Sequence, residues 1–510
     1  MAFGWKLVHG GKAPPPGEVV RPDERLGWGR MVGLGAQHVI AMFGATFVFP
    51  IVMGLDPNLA IMMSGVATIL FLLITQNRVP SYLGTSASFV GGVFAIRAAN
   101  GGDAADSVVI GAILVAGLVL AAAGLAINFL GISVIHRIFP PAVTGGVVML
   151  IGFGLAFVVA DVYWPQDRWV AMITMFSLFL MTALLRGFLA RIAILLALVF
   201  GYVLSWILDL TAGDIMSFDP GAGKETTRPR VNFDNVGDAA WIGLPDFTAP
   251  DIKFSAVLLV LPAIIALIAE NTGHVKAVAA MTQRDLDPMI GRAIFADGVG
   301  TAVATSVGGS PTTTYAENIG VMAATRIYST AAYYIAAVVA ILFGLCPKFG
   351  ALIAATPGGV LGGITVVLYG MIGLLGAKIW IENRVDFANP INLVPIGAGI
   401  ILAIGPVAHR ITTDFTLEGI ALGTVVLLAG YHLLRVLAPA HMRDSLDVPA
   451  GFEGDRRAEA GGGRRERAHQ GTDPNDEASL GEAGFMKDAA GSSSTDESTK
   501  AGLRDPDDRP

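Results

Sequence analysis

The sequence contains very little cysteine and few charged residues. Cys346 is the single cysteine among 510 residues, so no intrachain disulfide can form, which excludes a disulfide-stabilised secreted scaffold. Charged residues make up only 15% of the chain, compared with about 25% in soluble globular proteins. Together with 53% hydrophobic residues and a mean hydropathy of +0.62, this excludes a disordered chain and a soluble enzyme with a single core.

The net charge of −7 is concentrated near the C-terminus. Residues from 440 onward contain 10 Lys and Arg and 16 Asp and Glu, a net charge of −6, and no basic run indicates a nucleic-acid partner. Residues 438–510 are polar and poor in aromatics, which predicts a disordered acidic tail. Residues 1–27 contain no apolar run of the kind found in signal peptides, so we expect an uncleaved N-terminal segment.

Between these ends, apolar stretches follow one another closely. A membrane-crossing helix needs about 20 such residues. The predicted spans are 31–53, 57–75, 81–97, 107–130, 139–160, 168–185, 190–210, 254–272, 288–308, 311–324, 328–345, 350–376, 391–407 and 416–437. Seven precede a polar loop, 211–252, and seven follow it. We therefore predict an all-α polytopic membrane protein with 14 transmembrane helices in two repeats, 28–210 and 253–437. An odd number of spans per repeat inverts the second one.

Lys and Arg in short loops predict the orientation. One side contains Arg78, Arg137, Arg186, Arg191, Lys276, Arg284, Arg292, Arg326, Lys378 and Arg384, and the other contains Arg97, Arg168, Lys348 and Arg410. We expect the richer side to be cytoplasmic. Both termini are then cytoplasmic, and loop 211–252 is extracytoplasmic.

Two spans in matching positions of the repeats are interrupted. The third begins Pro-Ser-Tyr-Leu-Gly-Thr-Ser at residue 80, and the tenth begins Gly-Gly-Ser-Pro-Thr-Thr-Thr at residue 308. Paired interrupted segments of this kind indicate a transporter binding site. The alternative is coincidental spacing.

Ionisable residues within spans are costly, so each is a candidate functional residue. Glu270 and His274 stand four residues apart, on one face of a helix, where they could share a proton. The alternative places them at a solvated helix end beside Lys276. Glu317 follows the tenth segment's interruption and either contributes to a site or only stabilises its own helix. For His38 and Asp297 a structural role is the alternative.

Two carboxylates facing interrupted segments favour a planar heterocycle with N–H donors and C=O acceptors. Each carboxylate can accept from a ring N–H, and free backbone amides can serve the carbonyls. An anionic cargo fits worse, because the two carboxylates would repel it.

Four motifs resemble the nucleobase:cation symporter-2 family, which includes uracil and xanthine permeases. They are Gly-Ala-Gln-His with Ala-Met-Phe-Gly-Ala-Thr (35–46), Ser-Tyr-Leu-Gly-Thr-Ser (81–86), Ala-Glu-Asn-Thr-Gly-His (269–274) and Thr-Thr-Tyr-Ala-Glu-Asn-Ile-Gly-Val-Met (313–322). The resemblance runs from about residue 22 to 437. It implies a core of helices 1–4 and 8–11, a gate of helices 5–7 and 12–14, and short antiparallel strands in segments 3 and 10.

The resemblance also implies roles for individual residues. The implied substrate-binding residues are Glu270, Glu317, Ser86, Ala87, Tyr315, Ala316 and Tyr369, and the implied proton-coupling residues are Glu270, His274 and His38. Two positions depart from a uracil permease pattern, which has Phe at Ala87 and Gly at Ala316. The smaller Ala87 could enlarge the pocket.

The prediction is a proton-coupled importer of uracil or a related pyrimidine in the bacterial inner membrane, working by alternating access. The expected partners are a nucleobase, H⁺ rather than Na⁺, the lipid bilayer and a second copy in a homodimer, with no metal or cofactor. The alternatives are a xanthine or purine permease of the same family and an anion transporter of sulfate or bicarbonate type. No HExxH or GxSxG motif supports an enzyme, no continuous polar stripe supports a channel, and a non-transporting receptor remains a further alternative.

Overall fold

The computed structural model describes residues 4–15, 17–99, 105–131, 137–219, 223–405, 407–411 and 416–444, apart from the side chains of Phe43, Ala45 and Asp444. Most of the predicted tail, residues 445–510, lies outside these ranges. The described chain is mainly helical.

Most residues of the first half lie in long helices. Its elements are β1 (Lys6–Leu7), β2 (Glu24–Arg25), α1 (Trp28–Met53), α2 (Pro57–Ile74), β3 (Leu83–Thr85), α3 (Val90–Ala99), α4 (Asp106–Leu130), α5 (Pro141–Gly154), α6 (Arg168–Leu184), α7 (Phe188–Arg191) and α8 (Ala193–Ala212). Short 3₁₀ turns at His9–Gly11, Ala87–Phe89 and Trp164–Gln166 and a π-helix at Val158–Tyr163 complete it.

The linker and the second half follow. Their elements are β4 (Ile215–Asp219), β5 (Lys224–Arg228), α9 (Asp234–Asp238), α10 (Phe254–Val260), α11 (Pro262–Thr282), α12 (Ile290–Ser306), β6 (Thr312–Thr314), α13 (Ala316–Thr325), α14 (Thr330–Gly344), α15 (Pro347–Ala354), α16 (Gly358–Glu382), α17 (Pro390–Ile404), β7 (Ala408–Arg410), β8 (Thr416–Glu418), α18 (Gly419–Leu437) and α19 (Ala440–Asp444), with a 3₁₀ turn at Asp287–Met289.

Many of these helices suit a bilayer. Eight helices of the described chain are long and apolar enough to cross a membrane, if α5 is joined to its following turns and α10 to α11. The pair α14 and α15, bent by 80°, would make a ninth. Three further apolar helices are shorter: Ala87–Ala99, α6 and α17. The chain is therefore a multi-pass membrane protein.

Capping side chains set several helix starts. Asp56 accepts hydrogen bonds from the N–H groups of Asn58 and Leu59, at 2.6 and 3.0 Å. Asp167 caps α6 in the same manner, and Asn389 accepts from the N–H of Ile391 at the start of α17. Each cap satisfies N–H groups that the first helical turn leaves without a partner.

The helices pack in two groups. In the first, α1, α2 and α4 pack on α12 and α14, and α11 and the segment β6–α13 join them. In the second, α5, α6 and α8 pack with α16, α17 and α18. Each group therefore takes helices from both halves of the chain.

Glycines allow the closest helix contacts in both groups. A Cβ added at Gly117 would lie 2.9 Å from the backbone nitrogen of Ala302, across the α4–α12 contact. One added at Gly376 would lie 2.7 Å from the backbone nitrogen of Met149, across the α5–α16 contact. Small residues at such contacts let membrane helices approach one another without a side chain between them.

The N-terminal segment packs on the chain between α13 and α14. β1 pairs in parallel with β2, and Val20 forms a β-bridge with Ile327. The indole nitrogen of Trp5 donates to the hydroxyl of Thr330 at 2.8 Å. Val20 and Leu26 are buried, so this segment is an ordered part of the fold.

The linker between the halves contains a β-hairpin, which the sequence reading as a polar loop did not predict. β4 pairs antiparallel with β5. Beyond it, the guanidinium of Arg230 contacts Asp167 at 2.9 Å and Asp209 at 3.1 Å. These nearly buried ion pairs fasten the chain just after the hairpin to the start of α6 and to the end of α8.

Three predicted boundaries need correction. The span 254–272 is too short, because α11 continues to Thr282. The span 350–376 is wrong at its start, since α15 ends at Ala354 and α16 begins at Gly358; Pro357 disfavours helical geometry in the residue before it. Finally, residues 440–444 of the predicted disordered tail form α19, where the carbonyl of Met442 accepts from Asn389 at 2.8 Å.

Candidate functional site

Two short strands meet where the interrupted segments were predicted. β3 pairs antiparallel with β6, with Leu83 opposite Thr314 and Thr85 opposite Thr312. The pairing extends at both ends, because the N–H of Ser86 donates to the carbonyl of Pro311 and the N–H of Tyr315 to that of Tyr82. One strand comes from each half of the chain, so this sheet joins the halves.

A two-stranded sheet in a membrane leaves backbone groups at its outer edges, and these need partners. At the edge of β3, the N–H of Leu83 donates to the hydroxyl of Thr68 on α2, at 2.9 Å. At the edge of β6, Thr301 on α12 donates to the carbonyl of Thr312 at 2.9 Å and accepts from its N–H at 3.1 Å. Threonine hydroxyls thus replace the missing neighbouring strands.

Each strand runs directly into a short helix. After β3, Ser86 accepts a hydrogen bond from the N–H of Ser88 and starts the turn that leads into α3. After β6, α13 begins at Ala316. The N–H groups of a first helical turn have no partner within the helix, and Glu317 lies in the first turn of α13. The helix dipole favours a carboxylate at that position.

Glu270 and His274 lie well inside α11. The helix continues for eight residues beyond His274, to Thr282, and both side chains are half-buried. The interpretation that places this pair at a helix end therefore does not match the geometry.

His274 is bonded to the strand and not to Glu270. Its Nδ1 lies 2.7 Å from the hydroxyl of Thr314, and that hydroxyl donates to Oδ1 of Asn271 at 3.2 Å. The amide nitrogen of Asn271 donates in turn to Asp297 at 2.7 Å. A continuous chain of hydrogen bonds therefore joins α11, β6 and α12. Within the described ranges, no hydrogen bond links His274 to Glu270.

Three carboxylates belong to the elements around this chain of hydrogen bonds. Glu270 lies on α11, Asp297 on α12, and Glu317 in the first turn of α13, which follows β6. Asp297 is fully buried, while Glu270 and Glu317 are half-buried. A carboxylate removed from water is costly to leave charged without a partner, and a proton or a hydrogen-bond donor reduces that cost. This arrangement suits groups that bind N–H donors or carry protons.

Several polar groups near the strands have no hydrogen-bond partner among the described residues. Both side-chain polar atoms of the fully buried Asn318, which follows Glu317, are of this kind, as are the hydroxyl of Ser81 and Oδ1 of Asp297. Buried polar groups normally have partners. Their concentration beside Glu317 and the strand pair marks this region as the candidate site.

The other residues predicted at this site differ in their burial and in their contacts. Tyr315 is buried, and its hydroxyl donates to the carbonyl of Thr85 at 2.5 Å, so the ring lies across β3. A Cβ at Gly84 would lie 2.7 Å from that ring, which explains the glycine there. Ser86 is buried, Ala87 is half-buried, and Ala316 is exposed. Tyr315 therefore supports the strand pair.

His38 and Tyr369 lie in other contacts. The ring of His38 packs 4.4 Å from that of Tyr333 on α14, and its Nδ1 is buried without a described partner. Tyr369 is buried on α16, and its hydroxyl also lacks a described partner. The structure joins the helix that bears Glu270 and His274 to the strand that leads to Glu317. Within the described part of the chain, no hydrogen bond joins His38 or Tyr369 to these three residues.

Sequence reasoning missed the roles of Asn271, Thr314 and Asn318. All three lie within the motifs, but each is an ordinary polar residue there. One signal was available in the sequence: an asparagine directly follows each carboxylate, Asn271 after Glu270 and Asn318 after Glu317.

A cavity of about 290 Å³ lies elsewhere, at the linker hairpin. It is bordered by Arg228, Arg230, Asp167 and the start of α16. Among the described residues, no group of three or more His, Cys, Asp or Glu side chains is arranged to hold a metal ion.

Known proteins resemble this chain over most of its length. A family model described as "Permease family" matches residues 29–412. The "Putative pyrimidine permease RutG" of Escherichia coli strain K12 is 44% identical over 435 residues, which cover 84% of this chain and 94% of that protein. The "Uracil permease" of Bacillus caldolyticus is 35% identical and covers 78% of this chain and 90% of its own length.

Solved structures show the same fold at low sequence identity. The transmembrane domain of a cyanobacterial bicarbonate transporter, BicA, has a TM-score of 0.53 and 15% identity, covering 79% of this chain and 97% of that one. Murine solute carrier 26 family member A9, an anion transporter in the inward-facing state, has a TM-score of 0.56 and 12% identity, covering 80% and 68%. The family match and the two permease relatives, at 44% and 35% identity, show that the chain belongs to the nucleobase:cation symporter-2 family of permeases.

Proposed function

We propose that this protein is a proton-coupled permease that imports uracil or a related pyrimidine nucleobase. The observation that carries the proposal is the position of Glu270 and Glu317. The helix that bears Glu270 is hydrogen-bonded to β6 through Thr314, and Glu317 lies in the first turn of the helix that follows β6. A uracil ring offers N–H groups to carboxylates and C=O groups to backbone amides. Relatives named pyrimidine permease and uracil permease support the same cargo.

In the proposed site, Glu270 and Glu317 accept from the ring N–H groups. Ser86, Ala87 and Ala316 border the ring, where the starts of α3 and α13 present backbone N–H groups. Tyr315 contributes by holding β3, and Tyr369 closes the site from the α16 side.

For coupling, we propose that Glu270 and His274 exchange a proton during the cycle. His274 would act through Thr314, with which it shares a hydrogen bond, because that hydroxyl belongs to the strand leading to Glu317. His38 would order the site through its contact with Tyr333. H⁺ is the coupling ion, and no metal or organic cofactor takes part.

The proposed architecture is 14 membrane spans in two inverted seven-span repeats, residues 28–210 and 253–437. The β3–α3 and β6–α13 segments are the third and tenth spans. Helices α1–α4 with α10–α14 form the core, and α5, α6, α8 and α16–α18 form the gate, which the two packing groups support. The core moves against the gate to expose the site to each side in turn.

The proposed setting is the bacterial inner membrane, with both termini cytoplasmic and the linker 211–252 extracytoplasmic. We also propose a homodimer. Cysteine-accessibility labelling of the hairpin in intact cells tests the orientation, and light scattering of the purified protein tests the dimer.

A binding titration tests the cargo. Purified protein is titrated with uracil, thymine, xanthine and bicarbonate by isothermal calorimetry, and Glu317→Gln is compared with Glu382→Gln. Glu382 lies at the exposed end of α16 in an ion pair with Lys378. We expect binding of uracil that is lost in Glu317→Gln and kept in Glu382→Gln. Preference for xanthine would favour a purine permease, and binding of bicarbonate alone would favour an anion transporter.

A further inference from the structure

The segment after the linker hairpin, Ala240–Phe254, crosses one end of the helix bundle. We name it the linker strap. Its backbone N–H groups donate to carbonyls at three helix ends: from Gly243 to Leu345 after α14 at 3.1 Å, from Thr248 to Val307 after α12 at 3.1 Å, and from Asp251 to Ser107 in α4 at 2.8 Å. The strap is thus tied to the ends of α4, α12 and α14 by main-chain bonds.

The strap's apolar side chains point away from those helices. Ile242 is 86% exposed, Trp241 72% and Phe254 75%. Leu244, Phe247 and Ile252 are exposed as well. A run of exposed large apolar residues of this kind marks an interaction surface.

The position of the strap identifies what covers these side chains. It runs at the level where three apolar helices end, and it continues into Phe254–Thr282, a helix pair long and apolar enough to cross a membrane. Its exposed face is therefore continuous with a lipid-facing surface. Charged residues lie among the apolar ones in the strap, at Asp246, Asp251 and Lys253. Such a mixture, with a Trp, is typical of the level where helices leave the hydrocarbon layer.

Trp241 is also positioned by a charged neighbour. The ammonium group of Lys348 at the start of α15 lies 5.3 Å from the centre of its ring, and the backbone N–H of Lys348 donates to the carbonyl of Ala240 at 2.9 Å. An aromatic ring with a cation on one side and open space on the other suits the boundary between headgroups and acyl chains.

We propose that the linker strap is an interfacial membrane anchor, whose apolar side chains insert into the lipid headgroup–acyl boundary. Because its backbone bonds reach α4, α12 and α14, the anchor links the ends of these helices to the membrane surface. The helix that bears Asp297 and supports β6 is one of them. The proposal rests on the membrane location of the chain and does not depend on the cargo.

Spin labelling measures this depth directly. The native cysteine is removed by Cys346→Ala, and a nitroxide is attached in the full chain at Ile242→Cys or, as a second position, Phe247→Cys. Glu225→Cys, exposed on β5 of the same linker, is the matched control. The proteins are placed in nanodiscs of phosphatidylethanolamine and phosphatidylglycerol, and collisions with oxygen and with a neutral nickel chelate are compared.

We expect labels at positions 242 and 247 to favour oxygen and to report a depth about 5–10 Å below the phosphate level, while the label at 225 favours the nickel chelate. Equal nickel accessibility at 242, 247 and 225 would place the strap in water and overturn the proposal. Labels at 242 and 247 shielded from both reagents would show that protein covers the strap, which would overturn it as well.

Discussion

Removing the hydroxyl of Thr301 should lower the free energy of unfolding by a large amount. In Thr301→Val the side chain keeps its shape, but the N–H and C=O of Thr312 lose their partner inside the helix bundle. Each buried backbone group left unsatisfied costs about 1–3 kcal/mol, so the change should cost about 2–6 kcal/mol in the free energy of unfolding.

Thr305→Val is the matched control, one turn further along α12 and equally buried. Its hydroxyl donates only to carbonyls of its own helix, those of Thr301 and Ala302. The first of these carbonyls lies within the helical hydrogen-bond ladder, so we expect a loss of about 0–1 kcal/mol.

The assay is reversible unfolding in mixed micelles with increasing dodecyl sulfate, followed by tryptophan fluorescence. Because β6 leads directly to Glu317, uracil affinity should also fall in Thr301→Val and stay unchanged in Thr305→Val. Losses that agree within about 0.5 kcal/mol between the two variants would refute the strand-edge account.

Three further changes test other contacts. Asn271→Ala removes three hydrogen bonds and should cost about 2–5 kcal/mol in the same unfolding assay, whereas Thr272→Ala, which loses one bond within its helix, should cost under about 1 kcal/mol. Gly84→Ala places a Cβ 2.7 Å from the ring of Tyr315 and should cost about 1–3 kcal/mol by overpacking and weaken uracil binding. Arg230→Ala leaves two nearly buried carboxylates unpaired and should cost about 2–4 kcal/mol, measured by thermal unfolding at low and high salt.

Each of these has a contradicting result. Equal losses at residues 271 and 272 would mean that the bond chain from α11 to Asp297 contributes nothing. Gly84→Ala should be compared with Gly397→Ala, where an added Cβ meets nothing within 4 Å, and equal stability would refute the crowding argument. An Arg230→Ala protein as stable as the unchanged one would show that the hairpin is not held by its ion pairs.

The helical architecture could be predicted well because it depends on local composition. Long apolar stretches and polar breaks lie directly in the sequence. The motifs that contain Glu270, His274 and Glu317 fall on α11 and on the segment β6–α13. The break at residues 355–357 was missed because Thr356-Pro357-Gly358-Gly359 joins two apolar stretches without a charge, so hydropathy alone continues across it.

The pairing of side chains could not be predicted, because it depends on contacts between distant segments. Spacing on one helix suggested that His274 bonds to Glu270, yet Thr314 of the paired strand lies closer to the imidazole nitrogen. Tyr315 similarly follows the motif, but its ring lies across β3, where the small Gly84 leaves room for it.

The most direct test of the proposed function is uptake of labelled uracil into proteoliposomes with an imposed pH gradient. We predict uptake when the side facing the substrate is acidic, loss of uptake when a protonophore dissipates the gradient, no uptake by Glu317→Gln, and normal uptake by Glu382→Gln. Uptake that ignores the gradient, or that persists in Glu317→Gln, would contradict a proton-coupled permease built on these two carboxylates.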